Sequence, residues 1–533
     1  MKQHRNFEQP GRSLVTGKSG MAATSHPTST LVAVEILKSG GNAMDAAVAA
    51  CAVQSVVEAG STGIGGDCFA LYSASGGDAI VAYNGSGRSP AAATCGWYEK
   101  QGMSSIPRQS PHAVTVPGAV EAWSRLIADQ GRMKLADVLA PAIELARDGY
   151  PIAPRVAYDI KSQAKLLAAD PTAKSTFLKG EEAPAVGEIQ RQPKLASLME
   201  MIGKEGPSAF YAGDVASDMV EYLRSLGGLH TLEDFAATAG EYVNPISTEY
   251  RGNIVYECPP NGQGIIALMI LNILSRCKLG PDPLEVDNLF VEAEATRLAY
   301  AARDKFVADM GVSDVPVEFL LSDRLADDLA AKIDLAKAAD VTPVLDEFEH
   351  KDTVYIAVVD KDRNVASFIN SIFHSYGAGL MSPKHGVLFH NRAQSFSLKK
   401  GHPNVIAPRK RPMHTIIPGM VARGGRVQMT FGVMGGHYQA MGHAHLLSKV
   451  FNFGLDSQTA MDLPRLFPLP GSASVEMEER LRETVGAEFT RRGLTVQAPE
   501  RPIGGAQAIW IDWDHGTLLG ASDHRKDGCA LGY

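Results

Sequence analysis

The sequence predicts an α+β fold in which sheets pack together beneath helical layers. Short strands gather in two blocks, one near the start of the chain and one in its last third, while the stretch between them is mainly helical. That segregation argues against alternating βαβ units and for stacked layers. With 533 residues, 45% of them hydrophobic and 21% charged, the chain has ordinary globular composition and enough length to bury a large core.

The elements follow in order. From Ser29, STLVAVEILKSGGNAMDAAVAACAVQSVVEAGS reads as two helices. Gly40-Gly41 ends the first, and Asn42 caps the second with Asp45 in its first turn. The second is so rich in alanine and valine that it is expected between other layers. A Gly-rich turn follows Gly60, then strands at 68–72 and 79–83. The runs starting at Ala119, Leu135, Lys194 and Asp287 show helical spacing, and most stop at glycine. Residues 322–346 are acidic and Ala-rich, as expected of an exposed stretch. In Thr353-VYIAVVDKDRNVASF, Val354, Ile356 and Val358 alternate with Tyr355 and Ala357 as in a half-buried strand. Residues 360–364 supply the turn, and 365–368 return as a second strand. A helix over 438–451 and a hairpin over 506–523 complete the chain.

The net charge of −8 offers no general attraction to nucleic acid or an anionic membrane. Arg409-Lys-Arg411, bracketed by Pro408 and Pro412, reads as a solvated loop. The first residues hold no apolar core suited to a secretory signal and no later run is of membrane length, so a cytoplasmic location is expected. Six scattered cysteines without a C-x-x-C pair suggest free, mostly buried thiols rather than zinc or disulfides.

No H-E-x-x-H, P-loop, dinucleotide-binding or G-x-S-x-G signature occurs. His437 and His445 would lie about 12 Å apart along a helix, too far to share a metal, and together with His443 they read as a polar helix surface. Gly435-Gly436, between a strand and a helix, suits either an oxyanion hole or a tight turn. Thr353, opening its strand, suits either β-propensity or a nucleophile whose freed α-amine is its base.

Ordered blocks running from Gly20-MAATSHPTSTLVAVEILKSGGNAMDAAVAA through Gly63-IGGDCFALY, Thr353-VYIAVVDKDRNVAS, Tyr376-GAG, Lys410-RPMHTIIP and Gly435-Gly436 to Gly520-ASDHRKDGCALGY carry a resemblance over nearly the whole chain. The sequence resembles the γ-glutamyltransferases, N-terminal-nucleophile hydrolases. The resemblance implies a four-layer αββα sandwich and self-cleavage between Asp352 and Thr353. Residues 1–352 would form a large subunit and 353–533 a small one, in one combined domain. It implies Thr353 as nucleophile, Ser371 as the hydroxyl orienting it, Gly435 and Gly436 as the oxyanion hole, and Thr415 near the substrate carboxylate. No metal or organic cofactor is implied, and a homodimer is compatible with it.

The family's glutamyl clamp is largely replaced. Its carboxylate-binding arginine falls at Ser86, with Arg88 displaced by two positions, and the aspartate that holds the α-amine falls at Ser395. Phe373, Arg392 and His414 stand where the family has asparagine, glutamine and serine, while Asn391 is kept. The loop after Pro403-Asn-Val is short, which implies a more open site. Arg392, Arg88 and His414 would form a cationic pocket, favouring an amide hydrolase acting on a small acid such as oxamate, with water or an amine as acceptor. A γ-glutamyltransferase or glutathione hydrolase, a cephalosporin or glutaryl acylase, and an uncleaved scaffold or binding protein are the alternatives.

Overall fold

The computed structural model describes residue 8, residues 11–341 and residues 353–533. Two seven-stranded sheets, antiparallel throughout, face each other. The first runs Val15–Gly17, Thr517–Ser522, Gly505–Asp512, Arg426–Met434, Gly419–Arg423, Asn253–Glu257, Ile246–Tyr250. The second runs Cys529–Gly532, Met21–Thr24, Val354–Val359, Val365–Ser371, Asp67–Ser73, Ile80–Gly85, Glu241–Val243. The fold is an α+β sandwich of four layers, αββα.

Three apolar clusters account for the layers. Between the sheets, Tyr355, Ala357 and Val359 meet Met420, Val427 and Ile509. Outside the second sheet, Val354, Ile356 and Val358 pack on the helix Ala43–Val57. Outside the first, Met429, Phe431 and Val433 meet the helices Gly264–Arg276, Val286–Phe306 and Tyr438–Phe453. The strand expected to be half-buried is therefore buried at all six positions. Its alternation separates two apolar environments rather than core from water, because helices cover the far face.

The caps form as the sequence indicates. Asn42 Oδ1 accepts from Met44 and Asp45 N–H, and Asp45 Oδ2 accepts from Asn42 N–H. All fifteen residues of that helix are buried. Asp360 organises the 360–364 turn by accepting from Asp362 and Asn364 N–H, and its second oxygen accepts from Ala43 N–H, fixing the turn to the covering helix. The helices expected near 119, 135, 194 and 287, and the last hairpin, are present. The six cysteines are free, three buried and three partly so.

Two expectations fail for one reason, that polar side chains are buried with partners. In Arg409-Lys-Arg411 only Arg409 is exposed. Arg411 is buried, with Glu241 and the Ser86 and Ala239 carbonyls as partners. The histidines expected on a polar helix surface are interior. His443 meets Glu257 at 2.6 Å, and His445 meets Glu292 at 2.6 Å, with Lys449 on the other carboxylate oxygen. Among the described residues no helix is long and apolar enough to cross a membrane.

Candidate functional site

The register of the second sheet brings three strand ends together. Val354 pairs with Asn370, so Thr353, one residue earlier, lies beside Ser371, which pairs in turn with Asp67 on its other side. Thr353 is 1% exposed, with Oγ1 3.1 Å from Ser371 Oγ. Ser371 Oγ accepts from the Phe373 N–H at 2.9 Å, and its hydroxyl can donate to Thr353 as well. Phe373 adopts φ 79°, a left-handed conformation uncommon for a bulky residue, and this bend turns its N–H back toward Ser371. Gly66 is needed beside it, because a Cβ there would lie 2.4 Å from the Ser371 carbonyl oxygen.

The first sheet contributes Gly435 and Gly436, at the junction of Arg426–Met434 with the helix Tyr438–Phe453. Gly435 has φ 122°, and a Cβ there would meet Gly504 Cα at 2.9 Å. The carbonyls of the pair point into the fold: Gly435 accepts from Tyr438 N–H, and Gly436 from Gln439 N–H and Gln263 Nε2. Among the described residues no turn, loop or cap hydrogen bond uses either glycine's N–H. Adjacent backbone amides of this kind can receive an oxyanion.

Arg392 is the main electrostatic feature. It is wholly buried, lies 3.9 Å over the Phe373 ring, and donates from Nη1 to Thr415 Oγ1 at 2.9 Å. Nε and Nη2 have no partner among the described residues. Burial lowers the guanidinium pKa to about 9, against a smaller opposing pull from Asp67. The group thus remains charged at neutral pH with two donors unspent, the arrangement that grips a carboxylate or paired carbonyls.

His414 does not join it as a second cation. Burial first, then the nearby charge of Arg392, lower its pKa to about 3. Its tautomer agrees, since Nδ1 accepts from Ile416 N–H while Nε2–H donates to Asp67 Oδ2 at 3.0 Å. Burial pushes Asp67 up, but His390, with Nδ1 at 3.5 Å, and His414 outweigh it and hold the carboxyl well below its usual range. Arg88 is also removed from the expected cationic pocket. It is about one-third exposed, and its partners are Asp309 at 3.4 Å, Glu241 at 3.9 Å and the Arg409 carbonyl. Of the three expected cations, only Arg392 brings its charge into the pocket.

Asn391 acts as scaffold, accepting from His374 N–H and donating to Gln394 Oε1. Ser395, three residues after Arg392 in the same turn, lines a small cavity with Arg303, Asp304, His402 and Asn404, and its buried hydroxyl has no partner among the described residues. No acid stands at that position. The short 401–412 loop is tethered through His402 to the Asp304 carbonyl and through Lys410 to Ser313. Asp352 lies outside the described residues. Among those described, no group of three or more His, Cys, Asp or Glu is arranged to hold a metal.

Sequence reasoning missed Gln263 and Gln439. Gln263 Nε2 donates to the carbonyls of both Thr415 and Gly436, while its Oε1 accepts from Arg303, so it ties the carboxylate side of the site to the glycine turn. Gln439 Nε2 donates to Thr353 Oγ1 at 3.3 Å. Neither glutamine sits in a recognisable motif. Gln439's position two residues past His437, in the first turn of a helix behind a Gly-Gly pair, was the available signal.

Comparison with known proteins agrees with this architecture. The chain is 36% identical over 534 residues to the glutathione hydrolase-like YwrD proenzyme of Bacillus subtilis, covering 97% of this chain and 99% of that one. It is 34% identical over 530 residues to the oxamate amidohydrolase proenzyme of Klebsiella pneumoniae, covering 96% and 98%. The crystal structure of cephalosporin acylase from Bacillus halodurans superposes with a TM-score of 0.92 at 36% identity, covering 100% of this chain and 99% of that one. The family model for gamma-glutamyltranspeptidase matches residues 29–533, and the chain belongs to that family.

Proposed function

We propose that the chain cleaves itself between Asp352 and Thr353, and that Thr353 then serves as the N-terminal nucleophile of an amide hydrolase acting on a small acid without an α-amino group. In self-cleavage, Thr353 Oγ1 attacks the Asp352 carbonyl and the acyl group moves from nitrogen to oxygen. That shift frees the Thr353 α-amine, and water then opens the resulting ester, releasing the Asp352 carboxylate and regenerating the Thr353 hydroxyl. That amine, with an ordinary pKa of about 8, can take the hydroxyl proton as Oγ1 attacks a substrate amide. Gly435 and Gly436 N–H receive the oxyanion, the proton passes to the departing amine, and water or an amine releases the acyl group.

The observation that carries the substrate reading is Arg392, a buried cation with two free donors above Phe373 and no acid at position 395. A glutamyl ammonium entering here would meet repulsion where the family supplies an aspartate. A carboxylate, or the second carbonyl of an oxamate-like amide, would be gripped. A relative named for oxamate amidohydrolysis supports this choice. The 0.92 superposition on a cephalosporin acylase equally favours a longer dicarboxylic acyl group such as glutaryl, which presents the same terminal carboxylate.

Intact mass of the purified protein, followed by kcat/KM on oxamate, glutaryl amides and γ-glutamyl anilide, tests both parts. Two chains separated at 352/353, loss of cleavage in Thr353→Ala, and turnover confined to acids without the α-amine are expected. An active protein that remains one chain would sink the nucleophile assignment. Efficient γ-glutamyl turnover with the other amides untouched would sink the substrate assignment.

A further inference from the structure

We infer that Gln439 is a catalytic residue, a fixed hydrogen-bond donor to the nucleophile oxygen that lowers the barrier both to self-cleavage and to substrate attack. The inference rests on Thr353 being the nucleophile. Gln439 is fully buried in the first turn of Tyr438–Phe453. Its Oε1 accepts from the Ile417 N–H at 3.1 Å and its Nε2 lies 3.3 Å from Thr353 Oγ1. The two ends of this amide cannot be exchanged. A backbone N–H only donates, so the end facing Ile417 must be oxygen, and the end facing Thr353 must then be the NH2 group.

A threonine hydroxyl has two lone pairs, and attack uses one. As its proton leaves, for the α-amine in substrate attack or for the departing amide nitrogen in self-cleavage, the oxygen becomes alkoxide-like and gains a third. Ser371, whose oxygen already accepts from Phe373 N–H, can donate to one of these. Gln439 donates to another, and the third remains for the carbonyl carbon. No proton leaves the glutamine, so it is neither acid nor base. It makes a weak bond to the neutral hydroxyl that strengthens as negative charge develops, which is the condition for lowering a barrier rather than tightening binding. The same oxygen attacks in self-cleavage, so one donor serves both reactions. The helix that carries Gln439 also follows the glycine turn, and Gln439 N–H donates to the Gly436 carbonyl. That backbone bond survives any side-chain change and separates the donor role from support of the turn.

Two variants test this on the full-length protein. Gln439→Leu keeps approximate size and removes the donor. It should slow self-cleavage and lower kcat per processed chain by roughly tenfold to a hundredfold, with KM within about twofold and an unchanged melting temperature. Gln439→Glu keeps the acceptor for Ile417 but, when ionised, sets a negative charge against the developing alkoxide. Its kcat should fall below that of Gln439→Leu at high pH, and its ratio to the wild type should climb as pH falls and the acid is protonated into a donor. A flat ratio across pH, or a Gln439→Leu effect confined to KM or melting temperature, overturns the inference. Should Gln439→Leu fail to fold, the Gln439→Glu ratio decides alone. Thr353→Ala is run alongside: if it retains activity, the nucleophile assignment fails, whatever the glutamine variants do.

Discussion

Arg392→Met should make the protein more stable and less active. The guanidinium is wholly buried, and its pKa stands at about 9 rather than 12.5. That displacement corresponds to about 4–5 kcal/mol of unfavourable burial of the charge. Methionine preserves the contact with Phe373 but forfeits its cation–π component and leaves Thr415 Oγ1 without a donor, together about 2–4 kcal/mol. The expected net gain is about 0–3 kcal/mol, in line with other buried charges replaced by apolar side chains. Because folding lowers this pKa, the cost is fully present below about pH 9 and is relieved as pH rises from there toward 12.5. The stability gap between variant and wild type should therefore be widest at neutral pH and narrow above pH 9. Activity moves the other way. Losing charged hydrogen bonds to a substrate carboxylate costs about 1.5–3 kcal/mol, or roughly tenfold to a hundredfold in kcat/KM for oxamate or glutaryl amides. The assay pairs thermal melts at pH 7 and pH 10 with kinetics on those amides. A less stable variant that keeps full activity would show that Arg392 is a structural cation and would refute the reasoning.

Ser371→Ala should slow self-cleavage and turnover together, by about tenfold or more, through loss of the hydroxyl 3.1 Å from Thr353 Oγ1. Ser371→Thr should restore both rates; failure of the threonine variant would mean that packing at this strand end, rather than the hydroxyl, sets them. Gly436→Val, at φ 59°, should cost roughly a hundredfold in kcat by displacing an oxyanion donor, and normal turnover with an unchanged melting temperature would return the pair to a simple turn. Burial pushes Glu292 up, but His445 and Lys449 hold its pKa at about 2. It therefore contributes stability above pH 4.5 that is lost as pH falls toward 2, so Glu292→Gln should flatten the acid limb of the melting-temperature profile between those values.

The sequence made the layers legible because each helix and strand carried its own local signal: the Asn42 cap, the glycine stops, the Asp360 turn. What local pattern cannot report is the second neighbour. Strict alternation over 354–358 looks the same whether the far face meets water or the helix Ala43–Val57, and only the assembled fold puts all six residues of Val354–Val359 inside. The same blindness applied to charge. Arg411, His443 and His445 looked solvated because their partners, Glu241, Glu257 and Glu292, lie 153 to 186 residues away.

The site divides along the same line. Thr353 and Ser371, singled out by the family resemblance, lie at adjacent strand ends of one hairpin, 3.1 Å apart. Residues set by long-range packing were misread or missed. Arg88 and His414 looked cationic by type, yet Arg88 is paired with Asp309, and His414 is neutral beside Asp67, 347 residues distant. Of the three expected cations that leaves Arg392, and this changes the chemistry expected of the pocket. A cluster of cations would bind anions without regard to geometry, whereas a single planar fork whose Nε and Nη2 have no partner among the described residues, held over Phe373 and anchored by Thr415, fixes both the direction and the spacing of the group it accepts. Specificity in this chain should thus follow the distance from the scissile carbonyl to the acid's second oxygen-bearing group. Lengthening the acyl chain one methylene at a time, from oxamate to glutaryl amides, should give one sharp maximum in kcat/KM, and Arg392→Met should flatten it. A broad plateau in the wild type would mean that the fork does not set the length.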